Sequence, residues 1–232
     1  MISDWEAVTK TLPEARKTVS ADYHPAVVAE QWRGVLSEAL SLEAARDRKA
    51  APAAPVRLNL GCGGKLLPGY VNIDVADSRD GVAPDMVGDV LNLSSFEDGS
   101  VDEVLSVHMI EHLSRWDVPG ALKEWARVLK PGGRIVIECP NLLSACEALI
   151  ANPESAHSFA DDGGQTSMWP IYGAPVEGDP LMLHRWGYTP ESLSRLLEQA
   201  GLVDVGPRTP QFKLGAPRDM RVEGTKPGPR TA

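Results

Sequence analysis

The residues of this chain that could do chemistry are few, and they gather at the ends of apolar runs. Gly61 and Gly63 sit in 56-VRLNLGCGGKLLPGYVNIDV-75, between two such runs, and the second run reaches Asp74. Glycines carry no Cβ and let backbone approach a bound molecule closely. A carboxylate at a strand end can accept hydrogen bonds from both hydroxyls of a ribose. Asp89 and Val90 close a third run, DMVGDV, where a carboxylate can meet an exocyclic amine and an apolar side chain an adenine face. His108 lies just past a fourth run, VDEVLSV, with His112 four residues on, sharing a helix face with it if that segment is helical. His184 stands immediately before RWGYTP. Imidazoles are the side chains that hold or release a proton near neutral pH.

The familiar dinucleotide fingerprint fails when counted. From Gly61, the third glycine of G-x-G-x-x-G falls at Leu66, and Asp74 follows after thirteen positions where roughly 20 is usual. A pyrophosphate rests on a full helix N-terminus, and Lys65-Leu66-Leu67-Pro68-Gly69 is too short and broken to supply one. A ligand with adenosine and no phosphate has no need of it, and S-adenosylmethionine is such a ligand.

These residues require a scaffold. Residues 1–49 have a helical pattern: Pro25 suits a first turn, and Val28, Trp32, Val35, Leu36 and Ala39 recur at helical spacing. That stripe needs cover, as a flap on the main domain or, alternatively, as a homodimer contact. Residues 50–55, AAPAAP, are a linker by composition. From Val56 short strands (VRLNLG, YVNIDV, DMVGDV, VDEVLSV, RIVIEC) alternate with other elements. The helix 117-DVPGALKEWARVL-129 has Asp117 as its cap and Leu122, Trp125, Ala126 and Leu129 on one face, and stops at 130-KPGG-133. The stretch 152–188 lacks a clear period and carries Trp169, Tyr172, Trp186 and Tyr188, as a substrate-covering loop would. Thr189-Pro190 opens a last helix, stopped by Gly201, before the strands LVDVG and DMRVEG. The alternation predicts an α/β fold, a doubly wound, mostly parallel sheet.

The pieces LNLGCG, GYVNID, GDVLNL, FEDGSVDEVLSVHMIEHL, EWARVLKPGGRIVIECPN and HRWGYTPESLSRLLEQAGL, in that order, resemble a class I S-adenosylmethionine-dependent methyltransferase of the small-molecule, type 11 kind. The resemblance implies a Rossmann-like sheet of seven strands, the last antiparallel, over a domain at 56–227, followed by a tail at 228–232. It implies that Gly61, Cys62, Gly63, Asp74, Val75, Asp89, Val90, Ser106 and His108 line the cofactor site. His108 and His184 are then the candidate catalytic bases, and Trp169, Tyr172 and Trp186 suit a ring-bearing acceptor by stacking. The chain departs from the family pattern in the shortened link between its first two strands, where Lys65 is available to the methionine end. Neither an Asn/Asp-Pro-Pro-aromatic motif nor a Pro-Cys follows the fourth strand, which sets aside nucleobase methylation. A small hydroxylated acceptor, such as a sugar or secondary metabolite, is the default.

Bulk properties exclude other classes. A net charge of −9 argues against holding nucleic acid by phosphate neutralisation, the local cations after Arg208 notwithstanding. Cys62, Cys139 and Cys146 form no C-x-x-C. No apolar run approaches the ~18 residues of a membrane span, and MISDWEAVTKTLPEARK lacks a signal core. A cytoplasmic, reduced protein is expected. No metal is expected, because Asp161, Asp162 and Asp179 share a polar, water-facing loop. A non-catalytic adenosine-ligand-binding or assembly protein is the rival reading. A nicotinamide oxidoreductase is disfavoured by the glycine spacing.

Overall fold

The computed structural model describes residues 54–157, 166–173 and 179–228. The helical extension and dimer contact expected of 1–49 lie outside the described residues, as do Asp161 and Asp162. Seven strands form one sheet: β1 (Arg57–Leu60), β2 (Val71–Asp74), β3 (Met86–Val87), β4 (Val101–Val107), β5 (Leu129–Pro140), β6 (Val203–Arg208) and β7 (Asp219–Thr225). Their order is β3-β2-β1-β4-β5-β7-β6. β1 runs parallel to both β2 and β4, and β7 runs antiparallel to both β5 and β6, as the resemblance implied for DMRVEG. Successive residues Val104, Leu105 and Ser106 are all buried. Neighbours on a strand point to opposite faces, so both faces of the sheet are covered.

Among the described residues four α-helices accompany it: α1 (Val118–Val128), α2 (Leu142–Ala151), α3 (Met168–Tyr172) and α4 (Pro190–Gln199). α1 buries Leu122, Trp125 and Ala126, and the Trp125 indole N–H donates to Val90 O at 2.8 Å, tying the helix to the turn after β3. Asp117 precedes it without a side-chain cap, which corrects that expectation; its backbone is already helical and cannot turn the carboxylate onto the first N–H groups. α4 is closed by a reciprocal capping box, Thr189 with Ser192, and buries Leu193 and Leu197. α2 was not foreseen; Asn141 caps it, its side chain accepting from Leu143 N at 3.2 Å. β5 is longer than RIVIEC: the chain enters the sheet at Leu129 as soon as α1 ends, and KPGG forms an irregularity within the strand.

Parallel neighbours usually need a crossover of a dozen or more residues, commonly helical. β1 and β2 are instead joined by turns across 61–70. Two buried amides take the place of a helix. Asn72 Oδ1 accepts from Asn59 Nδ2 at 2.9 Å and from Leu67 N at 2.8 Å, while its Nδ2 donates to Leu67 O, Tyr70 O and Asp85 Oδ2. Asn59 Nδ2 also reaches Lys65 O. Lys65 O, Leu67 N, Leu67 O and Tyr70 O in the loop thereby find partners on the strands beneath.

Candidate active site

Strand order reverses between β1 and β4, the place where ligands bind in open α/β sheets. The ends of these strands open on a cavity of about 1060 Å³. That lies at the top of the ~300–1,000 Å³ range for small-molecule sites, leaving room for two ligands side by side. Gly61 ends β1 at φ +67°, its N–H donating to Ile73 O at 2.8 Å, and a Cβ there would stand 2.0 Å from Met109 Cγ. Gly63 follows at φ +53°, and its N–H donates to Asp74 Oδ2 at 2.7 Å; Asp74 Oδ1 accepts from Ala76 N at 3.0 Å. The carboxylate at the tip of β2 thus holds the glycine turn and lines the cavity.

Of the residues singled out from sequence, Gly61, Cys62, Gly63, Asp74, Val75, Asp89, Val90, His108, Trp169 and His184 all line this cavity. Asp89 and Val90 lie two and three residues past the short β3, in a turn where Asp89 Oδ1 accepts from Leu91 N at 2.9 Å. Cys62 is a buried thiol pushed up to about 11 by burial and by Asp74. Ser106 is fully buried and faces the core, because it lies one residue short of the lining Val107. Tyr172 and Trp186 are exposed and outside the lining; Trp186 instead stacks under the Arg115 guanidinium at 4.4 Å.

Residues 58–137 match the family described as "Methyltransferase domain". Solved structures agree in fold. One is a SAM-dependent methyltransferase from Archaeoglobus fulgidus, 20% identical, covering 80% of this chain and 94% of its own, with a TM-score of 0.50. Another, from Thermotoga maritima, is described as a possible histamine N-methyltransferase; it is 17% identical, covers 96% of this chain and 100% of its own, and has a TM-score of 0.50. No curated protein matches the chain.

The fold is that of the class I S-adenosylmethionine-dependent methyltransferases.

The cofactor that this fold implies is S-adenosylmethionine, which would supply an electrophilic methyl group on a sulfonium. The cavity fits that molecule: Gly61 and Gly63 have no side chains to obstruct it, and a carboxylate stands at the tip of the neighbouring strand. Past β4 the lining turns polar, with His108, Glu111 and His112 on the cavity wall. His108 has φ +52°, an uncommon backbone state outside glycine, and its N–H donates to Glu138 O at 2.7 Å. Its Nε2 is 3.1 Å from Asp219 Oδ2 and its Nδ1 is 3.3 Å from Glu111 Oε1, charge-pair distances without hydrogen-bond alignment. Burial alone would lower the His108 pKa, but Asp219 and Glu111 outweigh it and hold the ring above the ordinary histidine value. His184 goes the other way: burial lowers it, and Glu111 only partly compensates.

Glu111 is the residue that reading the sequence missed. Its side chain is almost wholly buried, and its backbone carbonyl accepts from Arg185 N at 2.8 Å and Trp186 N at 3.2 Å, fastening the 183–186 segment to the end of β4. The signal was the acid between His108 and His112 in the H-x-x-x-H spacing HMIEH. The segment 110–112 is a single 3-10 turn. His112 packs edge-on against His184, ring centroids 4.8 Å apart.

Proposed function

We propose that the enzyme methylates a hydroxyl oxygen of a small, ring-bearing acceptor, of the sugar or secondary-metabolite class. The observation that carries this is the split character of the cavity. One end has bare glycines and Asp74 for a nucleoside; the other has three imidazoles around a buried carboxylate, where a hydroxyl proton can be handled. On this reading Asp74 receives the ribose hydroxyls, Val90 lies on the adenine face with Asp89 at its amine, and Lys65 takes the methionine carboxylate. Trp169, which lines the cavity, stacks on the acceptor ring in preference to Tyr172 and Trp186, which do not line it.

The chemistry is in-line displacement at the methyl carbon, and alignment of the two reactants is worth roughly 7–11 kcal/mol of barrier. The acceptor oxygen must also lose its proton, a task worth about 10²–10⁴-fold. Asp219 and Glu111 hold His108 toward its protonated form, so it is a poor proton acceptor and serves instead to position the acid pair. Deprotonation falls to the His184 side of the cavity, where burial disfavours a protonated imidazole. The test is calorimetric titration of the full chain with S-adenosylmethionine, then a screen of hydroxylated and amine acceptors for S-adenosylhomocysteine release. Micromolar cofactor binding and turnover with hydroxyl acceptors are expected. Turnover with amines alone would overturn the oxygen assignment, and no cofactor binding at millimolar concentration would overturn the whole reading.

A further inference from the structure

We infer that Glu111, His112 and His184 form a binding site for a first-row divalent cation, of the Mn²⁺ to Zn²⁺ series, at the acceptor end of the cavity. One ligand atom from each residue lies within 4.8 Å of those of the other two. Each imidazole is set as metal-binding imidazoles are. His112 Nδ1 faces Leu183 O at 3.1 Å and His184 Nδ1 faces Pro170 O at 2.9 Å. A carbonyl can only accept, so both Nδ1 atoms carry the proton and both Nε2 lone pairs remain free. The third ligand is a carboxylate with 1% exposure whose two oxygens have no hydrogen-bond donor. A buried carboxylate in that condition calls for a partner. His108 approaches Oε1 from one side without hydrogen-bond alignment, leaving Oε2 open.

Two neutral imidazoles and one carboxylate make a mixed nitrogen and oxygen set that suits Zn²⁺, Mn²⁺ or Fe²⁺ better than Mg²⁺ or Ca²⁺. Three protein ligands leave further positions for exchangeable oxygens, the pattern of a catalytic rather than a structural site. Tetrahedral ligands at zinc distances stand about 3.3 Å apart. Glu111 Oε1 and His184 Nε2 are 3.9 Å apart, and all three ligand atoms lie within 4.8 Å of one another, so the side chains must rotate inward to complete the shell. The scaffold is prepared for this, since backbone hydrogen bonds from 185–186 to Glu111 O hold the two segments together before any ion arrives. The role at the acceptor rests on the function proposed above. A hydroxyl that replaces bound water on the ion loses its proton to solvent more readily, as water itself does on zinc.

The test uses the untagged full chain, stripped with a chelator and titrated calorimetrically with Zn²⁺ and, separately, Mn²⁺. One ion per chain is expected, with affinity falling at least ~100-fold in H184A and in E111Q. S-adenosylmethionine affinity within about twofold of wild type in the same variants shows that they are folded. Absence of stoichiometric binding of both ions, or binding undiminished in folded H184A and E111Q, overturns the site. Cofactor binding without metal binding would sink this inference and leave the methyl-transfer reading standing. The reverse result would do the opposite.

Discussion

At the scale of single residues, the site depends on side chains that are absent as much as on those present. Gly61 has left-handed backbone and lies against Met109. Gly61→Ala therefore combines a strained conformation, costing about 1–2 kcal/mol, with a collision that must displace Met109. A fall of several degrees in melting temperature and loss of cofactor binding are expected, measured by thermal scanning with and without S-adenosylmethionine. Asp74→Asn keeps the shape of the side chain but removes its charge, weakening the grip on both the Gly63 N–H and a ribose. Cofactor affinity should fall at least tenfold by calorimetry; an unchanged value would remove Asp74 from the account. The positions of Gly61, Gly63 and Asp74 were legible in sequence because each is bound to a strand end by local pattern. Glu111 was not, because an acid four residues past a strand has the same appearance whether it faces water or a cavity.

At the scale of elements, the absent crossover helix between β1 and β2 is the feature that needs most support. Asn72 supplies it, with five hydrogen bonds among Asn59, Leu67, Tyr70 and Asp85 from its side chain. Asn72→Leu leaves the buried Asn59 amide and the Leu67 N–H without that partner, at about 1–3 kcal/mol for each unsatisfied group. A lowered denaturant midpoint in equilibrium unfolding is the expected result. Thr189→Ala removes half of the capping box on α4 and should cost about 1 kcal/mol in the same measurement, with cofactor affinity unaltered. α4 was readable to within a residue because its cap, apolar stripe and terminal glycine agree. α2 was not, because only Ala145 of its ten residues is fully buried and its sequence is apolar nearly all round.

At the scale of the whole molecule, Glu103 spans the sheet. It accepts from Tyr70 Oη in the loop before β2 and from Arg134 Nε on β5 at 3.1 Å, and Arg134 also reaches Glu223 on β7 at 3.7 Å. Burial alone would raise the Glu103 pKa, but the Tyr70 and Arg134 bonds outweigh it and hold it below the ordinary glutamate value of 4.5. A carboxyl whose folded pKa is depressed stabilises the fold fully above the unfolded value and loses that contribution as pH falls through the folded one. Melting temperature should therefore decline as pH drops below about 4.5, and Glu103→Gln should flatten that limb. A decline of equal slope in the variant would assign the acid sensitivity elsewhere. Among the described residues no helix is long and apolar enough to cross a membrane.

By itself the sequence determined what depends on neighbours along the chain. The apolar runs, their order, the glycine turn and the acid ending the second run already specified a mostly parallel sheet with a glycine turn and an acid at its open end. Only the tertiary structure decided which distant groups converge. His184 lies seventy-two positions beyond His112, yet the rings touch, because Arg185 and Trp186 bond to the Glu111 carbonyl. It also decided which strand-end side chains turn inward, burying Ser106 while leaving Val107 on the cavity wall. Spacing in sequence carries no record of such contacts, since burial and long-range pairing are set by how the sheet closes over its core.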